Sequence, residues 1–192
     1  MPVKILLNGA KGRMGQTISR LAAEYGAEIS AALDMGDDPA AHIDAADLVM
    51  DFSFHSVTPA VAELAASRGK PIVIGTTGHS PEERARIVEC SKTIPMMFAG
   101  NYSVGVNLLY FLVGKAAEIL GPEYNAEVVE MHHNLKKDAP SGTAERIVEV
   151  IREARKLGPE CVTNGREGLV GERPVNEIGV HALRGGDVVG EH

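Results

Sequence analysis

The first hundred residues alternate short apolar runs with segments whose apolar residues recur at helical spacing, a rhythm that commits a chain to strands crossing over to parallel neighbours. Val3 to Leu7 reads as a buried strand; beyond a glycine turn, Met14, Ile18, Leu21, Ala22 and Tyr25 fall on one helical face. Ile29 to Leu33 is the second strand and ends at Asp34, and Leu48 to Phe52 is the third. A helix through Val57, Val61, Leu64 and Ala65 stops at Gly69, and Pro71 to Ile74 is the fourth strand. Ser80, Pro81 and Glu83 supply an N-cap, a proline at the first helical position and a capping-box acid for a helix running towards Cys90. Met96 to Ala99 closes the series.

Beyond "GNYSVGVN" the rhythm changes. A helix rich in Leu108, Leu109, Leu112, Val113, Ala116 and Leu120 leads into a strand from Glu127 to Met131. A helix from about Thr143 to Leu157, ended by Gly158, precedes strand-like pieces at Cys161 to Arg166, Ile178 to Arg184 and Val188 to Glu191, with Gly185-Gly186 suited to a hairpin between the last two. The expected class is α/β: a Rossmann-like doubly wound parallel sheet over residues 1–102, then a second α+β domain on a mixed sheet over 103–192.

Composition narrows the partners. A formal net charge of −7 without a basic block gives no footing for nucleic acid or an anionic membrane. Cys90 and Cys161 stand far apart without a second thiol at ligand spacing, so neither a disulfide framework nor a zinc site is expected, and no metal. No segment is read as reaching transmembrane length, no signal region is seen, and a reducing cytoplasm is the expected address.

"LLNGAKGRMG" sets Gly9, Gly12 and Gly15 between a strand and a helix, where backbone must approach a pyrophosphate and unpaired helix N–H groups await an anion. The spacing, G-x-x-G-x-x-G, departs from the standard fingerprint. Asp34, about twenty residues on, sits where a carboxylate accepts ribose hydroxyls. That acid repels a 2′-phosphate, whereas Lys11 and Arg13 attract one, so NADH is expected to be preferred and NADPH still used. "GTTG" (Gly75 to Gly78) and "AGNY" (Ala99 to Tyr102) follow the fourth and fifth strands on the same carboxyl edge and are placed to line a nicotinamide.

The stretch "EMHHNLKKDAPSGTA" gathers His132, His133, Lys136 and Lys137 ahead of Gly142-Thr143, where a helix begins. Two free amides and an ammonium make an anion site of charge-assisted hydrogen bonds. Adjacent strand residues point opposite ways, so both histidines face a ligand only if the strand is already breaking. Histidine, or a lysine with lowered pKa, can move a proton there.

"GAKGRMG", "MDFS", "GTTG", "GNYSVGVNLL", "EMHHNLKKDAPSGTA", "GREGLVGER" and "GDVVGEH" together resemble the 4-hydroxy-tetrahydrodipicolinate (dihydrodipicolinate) reductases, in order through nearly the whole chain. The resemblance implies a nicotinamide-dependent reductase of the lysine and diaminopimelate pathway. It would act on a cyclic imine dicarboxylate to yield tetrahydrodipicolinate with loss of water. It assigns Gly9, Ala10, Lys11, Gly12, Arg13 and Met14 to the pyrophosphate, Asp34 to the ribose, and Gly75, Thr76, Thr77, Ala99, Gly100, Asn101 and Tyr102 to the nicotinamide. His132 matches the acid/base residue, Lys136 the proton donor, and His133, Gly142 and Thr143 the substrate-carboxylate contacts. Domain closure and a homotetramer built through the second domain are implied as well.

Asn134 and Leu135 stand where many members carry a basic or aromatic residue. Members continue past the "GDVVGEH" segment with a strand and a helix; without them, the edge at Val188 to Glu191 and apolar helix faces are expected to be uncovered. Two rival readings are a reductase of the same architecture acting on an aldehyde or keto acid, and a nucleotide-sensing or scaffold module without chemistry. The paired lysines beside an anion-binding turn speak against the first, and His132 with Lys136 against the second.

Overall fold

The computed structural model describes residues 1–192, which divide into two compact units, Met1–Gly100 and Asn101–His192. The first contains β1 (Val3–Asn8), α1 (Arg13–Leu21), β2 (Ala27–Leu33), β3 (Leu48–Asp51), α2 (Thr58–Ser67), β4 (Ile72–Ile74), α3 (Pro81–Cys90) and β5 (Met96–Phe98). All five strands are parallel, in the order β2-β1-β3-β4-β5. The order reverses direction at β1, and in an open parallel sheet the ligand crevice lies at that reversal, beyond the strands' carboxyl ends.

The apolar runs become strands because the sheet face beneath α2 and α3 is sealed, while on the opposite face Leu7 is buried, Met50 and Val73 are half-buried and Met97 is exposed. Leu6, Val49, Ile72 and Ile74 are essentially inaccessible and pack with Ile43, Val61, Ala65 and Ile87. Helix α3 begins as read: the Ser80 hydroxyl accepts from the Glu83 N–H at 3.2 Å, and Glu83 Oε2 accepts from the Ser80 N–H at 2.8 Å. Gly69, with φ 63°, follows the end of α2.

The second unit contains α4 (Val104–Leu120), β6 (Ala126–His132), α5 (Gly142–Arg155), β7 (Val162–Asn164) and β8 (Ile178–Arg184). Its sheet runs β6-β8-β7, with parallel pairing throughout. Its mixed character rests on one antiparallel bridge, Met131 to Glu191. Val128, Ile178 and Val180 cover one sheet face with Ala144, Ile147, Val148 and Ile151 of α5 and Ala117 of α4. A Cβ on Gly114 would stand 3.0 Å from Val150 Cγ1, so the glycine sets how closely α4 and α5 approach.

Four expectations need correction here. The Gly185-Gly186 hairpin does not form: β8 has partners on both edges, so no ladder is left for a returning strand. The Gly185 N–H donates instead to the His132 carbonyl (3.0 Å) and Gly186 accepts from the Asn134 N–H (3.2 Å), while residues 188–190 form no strand and the Val188–Glu191 piece pairs with β6 by backbone only at the bridge to Met131. Helix α5 ends at Arg155 rather than running to Gly158: Lys156 caps it in the left-handed conformation (φ 55°), with the Leu157 N–H closing back onto the Arg152 carbonyl. The Cys161–Arg166 piece is a strand only over Val162–Asn164. Finally, α4 and the 3-10 turn after it make a 20-residue helix, Val104–Glu123, of mean hydropathy 1.4, long and apolar enough to cross a membrane by length and composition alone. Ala117, with Tyr110 and Val113 partly buried, meets the unit's core, while Val104, Leu108, Phe111, Leu112 and Ile119 are exposed.

Candidate active site

In the first unit the glycine turn is fixed by steric exclusion. Gly9 has φ 84°, and a Cβ there would collide with the carbonyl oxygen of Phe52; a Cβ on Gly15 would collide with the Gly9 carbonyl. The N–H groups of Gly9 and Ala10 both donate to the Leu33 carbonyl at 2.9 Å, tying the turn to the end of β2. Gly12 is the N-cap of α1 and provides no side-chain cap, so the first N–H groups of α1 keep their affinity for an anion.

Asp34 lies beside this turn. Its Oδ2 accepts from the Lys11 N–H (2.8 Å) and its Oδ1 from the Met35 N–H (2.9 Å). The Met35 N–H and then the Lys11 N–H hold the carboxyl below its ordinary range, while each oxygen keeps a lone pair for an outside donor. The turn and the acid therefore fit the pyrophosphate and ribose of a dinucleotide. The Thr76 side chain is not available to a ligand: it is buried and donates to Asp51 Oδ2 at 2.7 Å. Gly75 carries no side chain because the Phe52 ring fills the space of a Cβ, and a Cβ on Gly100 would meet Thr77 Cγ2 at 3.3 Å.

Asp51, unassigned by sequence reasoning, organises this edge. Fully buried, it accepts from Asn8 Nδ2 and Ser53 Oγ on Oδ1 and from Thr58 Oγ1 and Thr76 Oγ1 on Oδ2, each at 2.7 Å. The loops after β1, β3 and β4 are thereby fastened to one carboxylate.

In the second unit β6 ends at His132, whose Nδ1 lies 2.7 Å from Glu130 Oε2. Glu130 is buried and also accepts both arms of Arg184, at 2.8 Å each, and the Ser141 N–H at 3.0 Å. Burial alone would raise the Glu130 carboxyl, but Arg184, His132 and the Ser141 N–H outweigh it and bring it down to about 2. His133, just past the strand, turns its Nδ1 towards the Leu135 N–H (3.2 Å), so the two histidines do different work. The Lys136 ammonium is paired with both oxygens of Asp138, at 2.9 and 2.8 Å.

Ser141 caps α5 by accepting from the Ala144 N–H (3.2 Å), and its hydroxyl lies 2.8 Å from His192 Nε2. Gly142 and Thr143 open the helix, where first-turn N–H groups have no carbonyl to meet. Burial first, then the nearby charges of His132 and Lys136, lower the His192 pKa. Residues 130, 132, 136, 138, 141, 184 and 192 form one connected cluster. Glu130 was legible in principle, two residues before His132 and so on the same strand face; Arg184 was not, because it depends on the β6–β8 register that pairs it with His132.

A parallel sheet with a glycine turn at its switch point and an acid after the next strand defines a dinucleotide-binding protein of the Rossmann class. Residues 3–102 match the family described as dihydrodipicolinate reductase, N-terminus, and residues 105–192 match dihydrodipicolinate reductase, C-terminus. The chain is 47% identical over 192 residues to the 4-hydroxy-tetrahydrodipicolinate reductase of Akkermansia muciniphila, covering 99% of this chain and 78% of the relative. It is 43% identical to those of Anaeromyxobacter sp. (strain Fw109-5) and Geobacter metallireducens, covering 99% of this chain and 80% of each. The solved structure of a dipicolinate-bound dihydrodipicolinate reductase from Paenisporosarcina sp. TG-14 shares the fold, with a TM-score of 0.69 at 22% identity over 99% of this chain and 81% of that one. The chain belongs to the dihydrodipicolinate reductase family of NAD(P)H-dependent oxidoreductases.

Proposed function

We propose that residues 1–102 bind NADH in preference to NADPH and that residues 103–192 bind (4S)-4-hydroxy-2,3,4,5-tetrahydrodipicolinate, which the protein reduces to tetrahydrodipicolinate in lysine and diaminopimelate biosynthesis. The reaction class is the family's, and the residue roles are those the resemblance implies, carried onto this chain's positions. Gly9 to Met14 and Asp34 hold the dinucleotide, with the backbones of Gly75, Thr76, Thr77 and Ala99 to Tyr102 towards the nicotinamide. When bound, the reduced cofactor supplies the hydride.

The substrate is a dianion, and a dicarboxylate, dipicolinate, is the ligand named for the Paenisporosarcina enzyme. The first N–H groups of α5, at Gly142 and Thr143, with His133, receive one carboxylate. Lys136 exchanges part of its hold on Asp138 for the substrate and delivers a proton; His132 acts as the acid/base group. The tethered His132 beside the open start of α5 is the observation that carries the reading.

A cytoplasmic homotetramer completes the proposal. It is supported by the face of the second sheet opposite α5, where Val129 and Leu183 are about half exposed, and light scattering on the purified chain tests it.

The activity is tested by coupling the synthase that makes the substrate to this protein and following NADH absorbance. Lys136→Ala is expected to lower kcat by about 10²–10⁴-fold with NADH affinity retained; an equal loss of NADH affinity overturns the role of Lys136. Michaelis constants for NADH and NADPH measured side by side decide the cofactor preference.

A further inference from the structure

The geometry around the His132 ring dictates which of its nitrogens can exchange a proton. Glu130 Oε2 meets Nδ1 at 2.7 Å, and the Glu130 side chain has no exposed surface. That carboxylate cannot turn away, because the two arms of Arg184 grip both oxygens at 2.8 Å and the Ser141 N–H adds a third contact. Arg184 is anchored in turn: Nη2 donates to the Asp138 carbonyl (2.7 Å) and Nη1 to the Leu183 carbonyl (2.6 Å). On the far side of the ring, a Cβ on Gly190 would stand 2.8 Å from Nε2, and the His192 ring packs edge-on at 5.2 Å.

We propose that Glu130 is a positioning residue for the reduction: it holds Nδ1–H of His132, leaving Nε2 as the nitrogen that gives and regains the proton, and Arg184 locks Glu130 in place. The proposal rests on the reading of His132 as the acid/base group.

An ionised carboxylate only accepts, so a neutral imidazole facing one carries its hydrogen on Nδ1. The guanidinium fork keeps Glu130 ionised, so it orients the ring without taking its proton. When the imidazolium protonates substrate from Nε2, the N–H bond there breaks, the ring becomes neutral with Nδ1–H still on Glu130, and Nε2 is reprotonated from water. The charged and titratable groups around the ring are Glu130, Arg184, Lys136, Asp138 and His192. In Glu130→Gln the imidazolium and Arg184 both lose their shared counter-charge, and the positive charge of Arg184 remains beside the ring.

Two measurements test this. Long-range ¹H–¹⁵N spectra of histidine-labelled protein, with His132 assigned through His132→Asn, are expected to show the Nδ1–H tautomer for neutral His132; the Nε2–H tautomer overturns the proposal. The spectrum is taken on the unaltered site, so it decides even if Glu130→Gln fails to fold. In steady-state kinetics, Glu130→Gln is expected to lower kcat about 10²–10³-fold. NADH affinity and substrate KM should stay within about threefold, and the basic limb of the kcat profile should move to lower pH.

The double variant Glu130→Gln/His132→Ala is expected to be no slower than His132→Ala alone. An equal cost of Glu130→Gln in both backgrounds makes Glu130 merely structural and defeats the proposal while His132 keeps its role. If His132→Ala leaves kcat unchanged, the acid/base reading fails and the positioning role falls with it.

Discussion

Asp51→Asn should destabilise the first unit by an amount that follows from its four hydrogen bonds. Whichever carboxylate oxygen becomes the amide nitrogen, two of the four donors then face a donor. At the Oδ1 position these are Asn8 Nδ2 and Ser53 Oγ; at Oδ2 they are the two threonine hydroxyls, which can fall back on the Phe54 carbonyl at 3.4 Å and the Asp51 carbonyl at 3.3 Å. The second arrangement costs less, although Thr76 Oγ1 must still accept from the Ser53 N–H. Two charge-assisted bonds of about 1.5–3 kcal/mol each are exchanged for long neutral ones, and relief of a buried charge offsets part of the loss, leaving about 2–3 kcal/mol. Against a total stability of about 5–15 kcal/mol that is a large fraction.

Urea unfolding followed by circular dichroism should show the midpoint falling by about 1 M with the slope unchanged. NADH should bind more weakly, because Phe52 and Ser53 abut Gly9 and Thr76 belongs to the next loop. A variant as stable as the parent within about 0.5 kcal/mol would refute the idea that this carboxylate fastens the edge.

Glu130 should make the second unit acid-sensitive. Its folded pKa of about 2 lies below the ordinary 4.5, so its contribution is fully present above pH 4.5 and lost as pH falls through about 2. That separation corresponds to about 3 kcal/mol, and the stability gap between parent and Glu130→Gln should close over this window in pH-dependent unfolding. Gly190→Ala should push the His132 ring off its position and lower kcat about tenfold or more with NADH affinity intact, read in the coupled assay. Gly9→Ala places a side chain at φ 84° and against the Phe52 carbonyl; it should cost about 1–3 kcal/mol in strain and abolish NADH binding by fluorescence titration.

The first unit was legible because its signals are local. The strand, glycine turn and helix at Val3–Leu21 and the Ser80-Pro81-Glu83 start of α3 are set by residues a few positions apart, so pattern and structure agree. The second unit was read less well because its decisive contacts are distant. Gly185-Gly186 has hairpin chemistry, but β8 already has β6 and β7 on its two edges. Within the cluster, "HHNLKK" marked by composition the loop that carries His132 and Lys136, while Arg184 lay in what read as an ordinary strand end. The loop's cations are also less free than their number suggests, since Lys136 is already matched with Asp138. No local pattern marks Asp51, whose donors come from Asn8, Ser53, Thr58 and Thr76.

The β6-β8-β7 order has a consequence for biogenesis. Of the three strands β6, β8 and β7, the central one is translated last, and the guanidinium that grips Glu130 lies 54 residues downstream of it. While a ribosome is still extending that interval, the nascent polypeptide carries its histidine loop without the anchor that orients it, whereas β1 to β5 of the nucleotide-binding half have already been made. Stalling before residue 184 would therefore yield a product with its glycine turn finished yet with the Glu130–His132 pair unmoored.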